Sequence, residues 1–161
     1  MTRYRIAICD DEESVRSIFH DWVSKAKNIA DVKEYSGGDE LIKDIDAGAG
    51  IDIVFLDIAM GKNDGIDTAK ELGRRIEASG KSMRASRPLI IFVTGIPDRM
   101  GDAFGVKAFD YLLKPVHGQR LKVNFTEQLG SWRDWMPSSY VRQNIKMMKT
   151  SSYLYNQVKG Q

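Results

Sequence analysis

The chain of 161 residues has a single cysteine, Cys9, and only two histidines, His20 and His117. One cysteine cannot make an internal disulfide, and this set cannot furnish a cysteine-based or histidine-rich zinc site. No apolar run approaches the roughly 20 residues that a membrane-spanning helix needs. Residues 1–5 (MTRYR) lead straight into a short apolar run, without the profile of a secretion signal. These absences point to a soluble, cytoplasmic protein without soft-ligand structural metals. Acids are scarce at one end. Residues 138–161 contain Arg142, Lys146, Lys149 and Lys159 and no Asp or Glu at all.

What is present suffices for one folded core, with 42% hydrophobic and 29% charged residues. The net charge of +2 conceals an asymmetry: residues 1–106 hold 15 Lys and Arg against 19 Asp and Glu, whereas residues 107–161 hold 9 against 3. A solvated basic tail is the simplest reading of the second part.

Short apolar runs rich in β-formers alternate with longer segments of helical period. Residues 5–9 form the first run. Val15, Ile18, Phe19, Trp22 and Val23 then share a helical face within residues 13–27, and Asp11, Glu12 and Glu13 precede it where a helix dipole favours acids. Residues 31–35 read as a second strand, 36–39 (SGGD) as a turn, and Leu41, Ile42 and Ile45 as a short helix. Residues 51–56 make a buried strand ending at Asp57, and Ile66, Ala69, Leu72 and Ile76 mark the next helix. Residues 77–88 are expected to be an extended surface connection. A strand at 89–93 follows, then a short helix at 100–106 with Met100, Ala103 and Phe104 inward, and a strand at 108–113. Leu121, Phe125, Leu129, Trp132 and Met136 recur at helical spacing before Pro137, which predicts a long last helix. Five β/α units of this kind imply a mostly parallel sheet with helices on both faces.

Ligands of open parallel α/β sheets bind beyond the carboxyl ends of the strands. Four apolar runs end there in polar residues: the first in Asp10 and Asp11, the third in Asp57, the fourth in Thr94 and the fifth in Lys114. Any one of these is a common surface strand end, and the combination carries the argument. Three neighbouring carboxylates repel one another unless protons or a hard cation compensate. An oxygen-only donor set suits Mg²⁺, which joins one or two carboxylates to a phosphate. A lysine and a hydroxyl suit the remaining phosphate oxygens, and a carboxylate can itself accept a phosphoryl group.

The segments IAICDDEESVR, DIVFLDIAM, IIFVTG and FDYLLKP, in that order, resemble the receiver domain of bacterial two-component response regulators over about residues 3–136. The wording of the last two is most similar to receivers of LytTR-type regulators. The resemblance implies a flavodoxin-like, doubly wound five-stranded parallel sheet of order 2-1-3-4-5. It implies Asp57 as phosphoacceptor, Asp11 as a direct Mg²⁺ ligand, Asp10 as an acid acting through water, and the Ala59 backbone carbonyl as a further ligand. Lys114 matches the lysine that contacts the phosphoryl group, Pro115 the proline that follows it, and Thr94 with Tyr111 the switch pair. Gly65 matches the glycine after the phosphoacceptor loop. Gly61 stands where proline is common, which leaves that loop freer. The implied partners are a sensor histidine kinase or phosphotransfer protein and, through the face of helix four, strand five and helix five, a second copy.

The expected organisation is a receiver over residues 1–136 and a basic tail, helical or disordered, over 137–161. The tail is too short for a LytTR DNA-binding domain, so direct nucleic-acid binding is not expected, nor is membrane association. Ala59 and Ile96, each two residues beyond Asp57 and Thr94, offer no side chain to orient water, so self-dephosphorylation should be slow. Simpler readings stand beside several residues. Asp10 and Asp11 also suit a helix N-terminus, and Tyr111 also suits a half-exposed strand. Cys9 reads as a small buried hydrophobe and His20 as a surface residue. A Mg²⁺-dependent phosphohydrolase with an Asp57 nucleophile would want an acid where Ala59 stands. A binding-only pseudo-receiver would not need the full set of Asp10, Asp11, Asp57, Thr94 and Lys114. The protein is thus not expected to be an enzyme acting on other substrates.

Overall fold

The computed structural model describes residues 3–25, 29–62, 64–79, 88–106, 108 and 110–114. The strands are β1 (Tyr4–Cys9), β2 (Ile29–Tyr35), β3 (Ile53–Leu56), β4 (Leu89–Thr94) and β5 (Asp110–Leu113). The helices are α1 (Glu13–Val23), α2 (Gly38–Asp46), α3 (Gly65–Ala78) and α4 (Met100–Gly105), the last preceded by a 3-10 turn at Pro97–Arg99. The strands form one parallel sheet in the order β2-β1-β3-β4-β5. The parallel pairing is the one expected from the alternation, and the doubly wound order is the one the resemblance implies.

Period-two alternation sorts each strand's side chains onto two faces. Ile6, Ile8, Ile53, Phe55, Ile91 and Val93 pack toward α1, where Phe19 meets Phe55 with ring centroids 5.5 Å apart. Ala7, Cys9, Val54, Leu56, Ile90 and Phe92 face the other way, onto Leu41 of α2 and Ile66, Ala69 and Leu72 of α3. The sheet is therefore buried on both sides, as parallel sheets require. Strand order reverses about β1, so the carboxyl ends of β1 and β3 flank a topological switch point.

Some local expectations shift. Ile18 is 63% exposed although it was assigned to the inward face of α1. At 100° per residue it lies at the flank of the stripe formed by Val15, Phe19 and Val23, and the sheet covers only the centre. Gly38 and Asp39 open α2 and are not part of a turn, because Gly37 already adopts the extended N-cap position. Glu77 and Ala78 complete α3, which continues past the expected start of the connection, while residues 80–87 lie outside the described residues. α1 stops at Val23 and β5 begins at Asp110. Pro115, the expected last helix and the basic tail also lie outside the described residues, as do the side chains of Trp22, Met100 and Phe104.

Candidate functional site

Backbone ladders run past the strand ends and fix the polar residues there. The Asp10 N–H donates to the Tyr35 carbonyl (3.1 Å), that of Asp57 to the Cys9 carbonyl (2.9 Å) and that of Lys114 to the Thr94 carbonyl (2.9 Å). Asp10 and Asp57 are each only 3% exposed. Lys114 Nζ lies between them, 2.7 Å from Asp10 Oδ2 and 3.2 Å from Asp57 Oδ2, and 3.4 Å from Glu12 Oε1. Asp57 Oδ1 accepts from the Ala59 N–H (3.3 Å) and Asp10 Oδ1 from the Glu12 N–H (2.9 Å). Asp11 is exposed, and its carboxylate joins those of Asp10 and Glu12 in a group whose oxygens all lie within 4.8 Å of one another.

Two buried carboxylates share one ammonium, and the titration of Asp57 and Lys114 reflects it. Burial pushes the Asp57 carboxyl above its ordinary range, the Asp10 charge adds to this, and Lys114 and the Ala59 amide oppose it. For Lys114, burial works against the charge, but the carboxylates of Asp10 and Asp57 outweigh it and hold the ammonium above its ordinary range. Cys9, buried one residue earlier, has its thiol pushed up to about 12 by burial and then by the Asp10 charge. Its Sγ packs 3.6 Å from Met60 Sδ, the environment of a small core hydrophobe. His20 is partly exposed, its Nδ1 2.6 Å from Glu34 Oε1.

At the carboxyl end of β4 Thr94 is fully buried, its hydroxyl oxygen accepting from the Ile96 N–H at 3.3 Å. Tyr111 is also buried, and its hydroxyl donates to the Ile96 carbonyl at 2.5 Å. The ring is therefore inward already in this structure. Gly61 adopts φ of 51°, a left-handed setting closed to proline, so the departure at this position changes the path of the loop and not only its freedom. Gly65 is required for a different reason: a Cβ there would lie 2.0 Å from the Asp57 carbonyl oxygen.

Sequence reasoning overlooked two side chains. Glu12 was read as a helix-end acid, yet it joins both the carboxylate group and the Lys114 contact; its place directly after Asp10 and Asp11 was the available signal. Arg16 donates from Nη1 to the Asp10 carbonyl at 2.7 Å and its Nε lies 3.5 Å from Glu34, bracing the turn after β1. Only its spacing of six residues from Asp10, one turn into α1, hinted at this. For a divalent cation the donor chemistry fits. All the candidate donors are hard oxygens, and the two buried carboxylates carry more negative charge than one ammonium cancels.

The family model of the response regulator receiver domain matches residues 6–126. The chain belongs to this family. The receiver is 35% identical over 122 residues to an uncharacterized response regulatory protein of Yersinia pestis, covering 76% of this chain and 47% of that protein. It is 30% identical over 167 residues to the sensory transduction protein LytR of Staphylococcus saprophyticus, covering 93% of this chain and 58% of LytR. The chain thus spans about half the length of these relatives. Among solved structures, the response regulatory domain of MrkE from Klebsiella pneumoniae superposes with a TM-score of 0.68 at 22% identity, covering 81% of this chain and 99% of that one. A CheY-like receiver from Methanospirillum hungatei gives 0.66 at 17% identity, covering 83% and 98%. These two likenesses establish the fold. Receiver domains are signalling domains, and membership associates this chain with phosphorylation-dependent two-component signalling. Among the described residues no helix is long and apolar enough to cross a membrane.

Proposed function

We propose that this receiver is a phosphorylation-controlled switch with Asp57 as phosphoacceptor. The observation that carries the reading is the Asp57 carboxylate, buried at the switch point of the sheet with Lys114 Nζ 3.2 Å from its Oδ2. An Asp57 oxygen forms a bond to the phosphorus of a phosphohistidine in a sensor kinase or phosphotransfer protein. The P–N bond breaks, and the imidazole keeps the electron pair and takes up a proton. Lys114 follows the charge onto the transferred group, because its ammonium already reaches both buried carboxylates. Asp10, Asp11, Asp57 and the Ala59 carbonyl would hold Mg²⁺, which when bound neutralises charge on the phosphoryl oxygens. Glu12 lies close enough to join this set.

Thr94 supplies a hydroxyl to the phosphoryl group, and because it is fully buried this requires movement of the segment after β4. Tyr111 hydrogen-bonds that same segment at Ile96, so its inward and outward settings would shift in population with it. The face formed by α4, β5 and the expected last helix then changes its affinity for an output partner or a second copy. Residues 1–136 would be the switch and 137–161 a basic extension. Labelling by acetyl phosphate with Mg²⁺ tests the assignment: wild type is expected to label and to lose the group slowly, and Asp57→Ala not to label. Equal labelling of the two proteins would refute it.

A further inference from the structure

Arg99 closes the 3-10 turn between β4 and α4, and its guanidinium is forked between two carboxylates. One Nη donates to Asp64 Oδ2 at 2.6 Å and Nε donates to Asp102 Oδ2 at 2.7 Å. Asp64 is itself firmly held. Its Oδ1 caps α3 by accepting from the Ile66 N–H (2.7 Å), and its carbonyl accepts from both the N–H and the hydroxyl of Thr68. The next residue, Gly65, donates to the Ile58 carbonyl at 2.8 Å and lies so close to the Asp57 carbonyl that no Cβ fits. On its other side, the Arg99 backbone N–H donates to the Ile96 carbonyl at 3.4 Å, the carbonyl that also accepts from the Tyr111 hydroxyl. A continuous path of contacts therefore leads from the backbone of Asp57 through Gly65, Asp64, Arg99 and Ile96 to the Tyr111 ring.

We propose that Arg99 is a positioning residue of the switch: by bridging Asp64 and Asp102 it fixes the Ile96 carbonyl against the Tyr111 hydroxyl and so couples the inward setting of the ring to the loop after Asp57. The term switch rests on the function proposed above, whereas the effect on the ring does not require a phosphoryl group. The side chains of Arg99 and Asp64 are 35% and 28% exposed, so the coupling is that of a half-buried, forked pair and is correspondingly modest.

The test uses the full chain with ¹³C-labelled tyrosine rings, the Tyr111 signal among the six tyrosines being identified with Tyr111→Phe. Asp64→Asn removes the charge and keeps an equally good helix cap, and Arg99→Gln removes the fork. Without phosphodonor, each is expected to lower the ratio of inward to outward Tyr111 about threefold. The double variant should go no further than Arg99→Gln alone, since that substitution already breaks the Arg99–Asp64 contact along with the one to Asp102. Raising NaCl to about 1 M should move the wild-type signal in the same direction and leave that of Arg99→Gln in place. Tyr111 signals of both variants that coincide with wild type would overturn the inference. Labelling by acetyl phosphate is run in parallel. A wild type that fails to label at Asp57 defeats the proposed function, and the ring comparison still decides the role of Arg99.

Discussion

The two ends of the sheet carry ion pairs of similar composition in different surroundings. At the amino end, Arg5 Nε lies 3.5 Å from Asp52 Oδ2, with side chains 55% and 36% exposed. At the carboxyl end, Lys114 is 2.7 Å from Asp10 and 3.2 Å from Asp57, and both carboxylates are nearly sealed from solvent. The amino-end pair is balanced one to one and water screens it, so it contributes little. The carboxyl-end group is unbalanced, two acids to one base, in a place where water cannot compensate. Burial and imbalance together distinguish a site from a surface pair. Such a cluster is a poor source of stability, and its excess negative charge favours a further cation.

The sharpest way to break this comparison is to remove Lys114. Lys114→Met leaves Asp10 and Asp57 facing one another without a counter-charge, and it is expected to cost about 3 kcal/mol at pH 7 in chemical denaturation. The cost should shrink as pH falls through the raised pKa of Asp57, because one carboxylate then becomes neutral.

Asp57→Asn should have the opposite sign. A carboxyl whose folded-state pKa exceeds its unfolded value holds its proton more tightly when folded, so its ionisation reduces stability as pH rises through the folded pKa. Removing that charge is expected to stabilise the protein at pH 7 by about 1 kcal/mol, a rise in Tm of about 3 °C. The gain should vanish below the ordinary carboxylate range, where Asp57 is protonated in both states. An unchanged Tm at pH 7 would show that Lys114 fully compensates the cluster.

The smallest effect belongs to the amino end. Arg5→Gln is expected to change stability by no more than about 0.5 kcal/mol, with no dependence on pH near neutrality. A cost matching that of Lys114→Met would erase the distinction between the two ends.

Much of the site was legible because a parallel strand delivers its last residue to a known edge. Asp10, Asp57, Thr94 and Lys114 each follow an apolar run, and each sits at that edge. The inward position of Ile18 was misread because helical period marks the direction of a stripe and not how wide a face the sheet covers. Gly61 shows a finer limit. The absence of proline was visible, whereas the left-handed φ that excludes proline belongs to the folded loop. Arg99 left no trace in the local pattern, since its partner Asp64 is 35 positions away and nothing in the spacing selects it among the exposed acids.

The sequence by itself determined the alternation of strands and helices, the two-sided burial of the sheet and the identity of the polar residues at its carboxyl edge. These follow from periodicities of two and 3.6 residues, which are local properties of the chain. Only the tertiary structure decided that Lys114 would stand between Asp10 and Asp57, the latter 57 positions distant in sequence, that Tyr111 would lie inward on the Ile96 carbonyl, and that Arg99 would tie the two loops together. Electrostatic energies depend on separation and on the exclusion of water, and both are set by segments that meet only when the sheet closes.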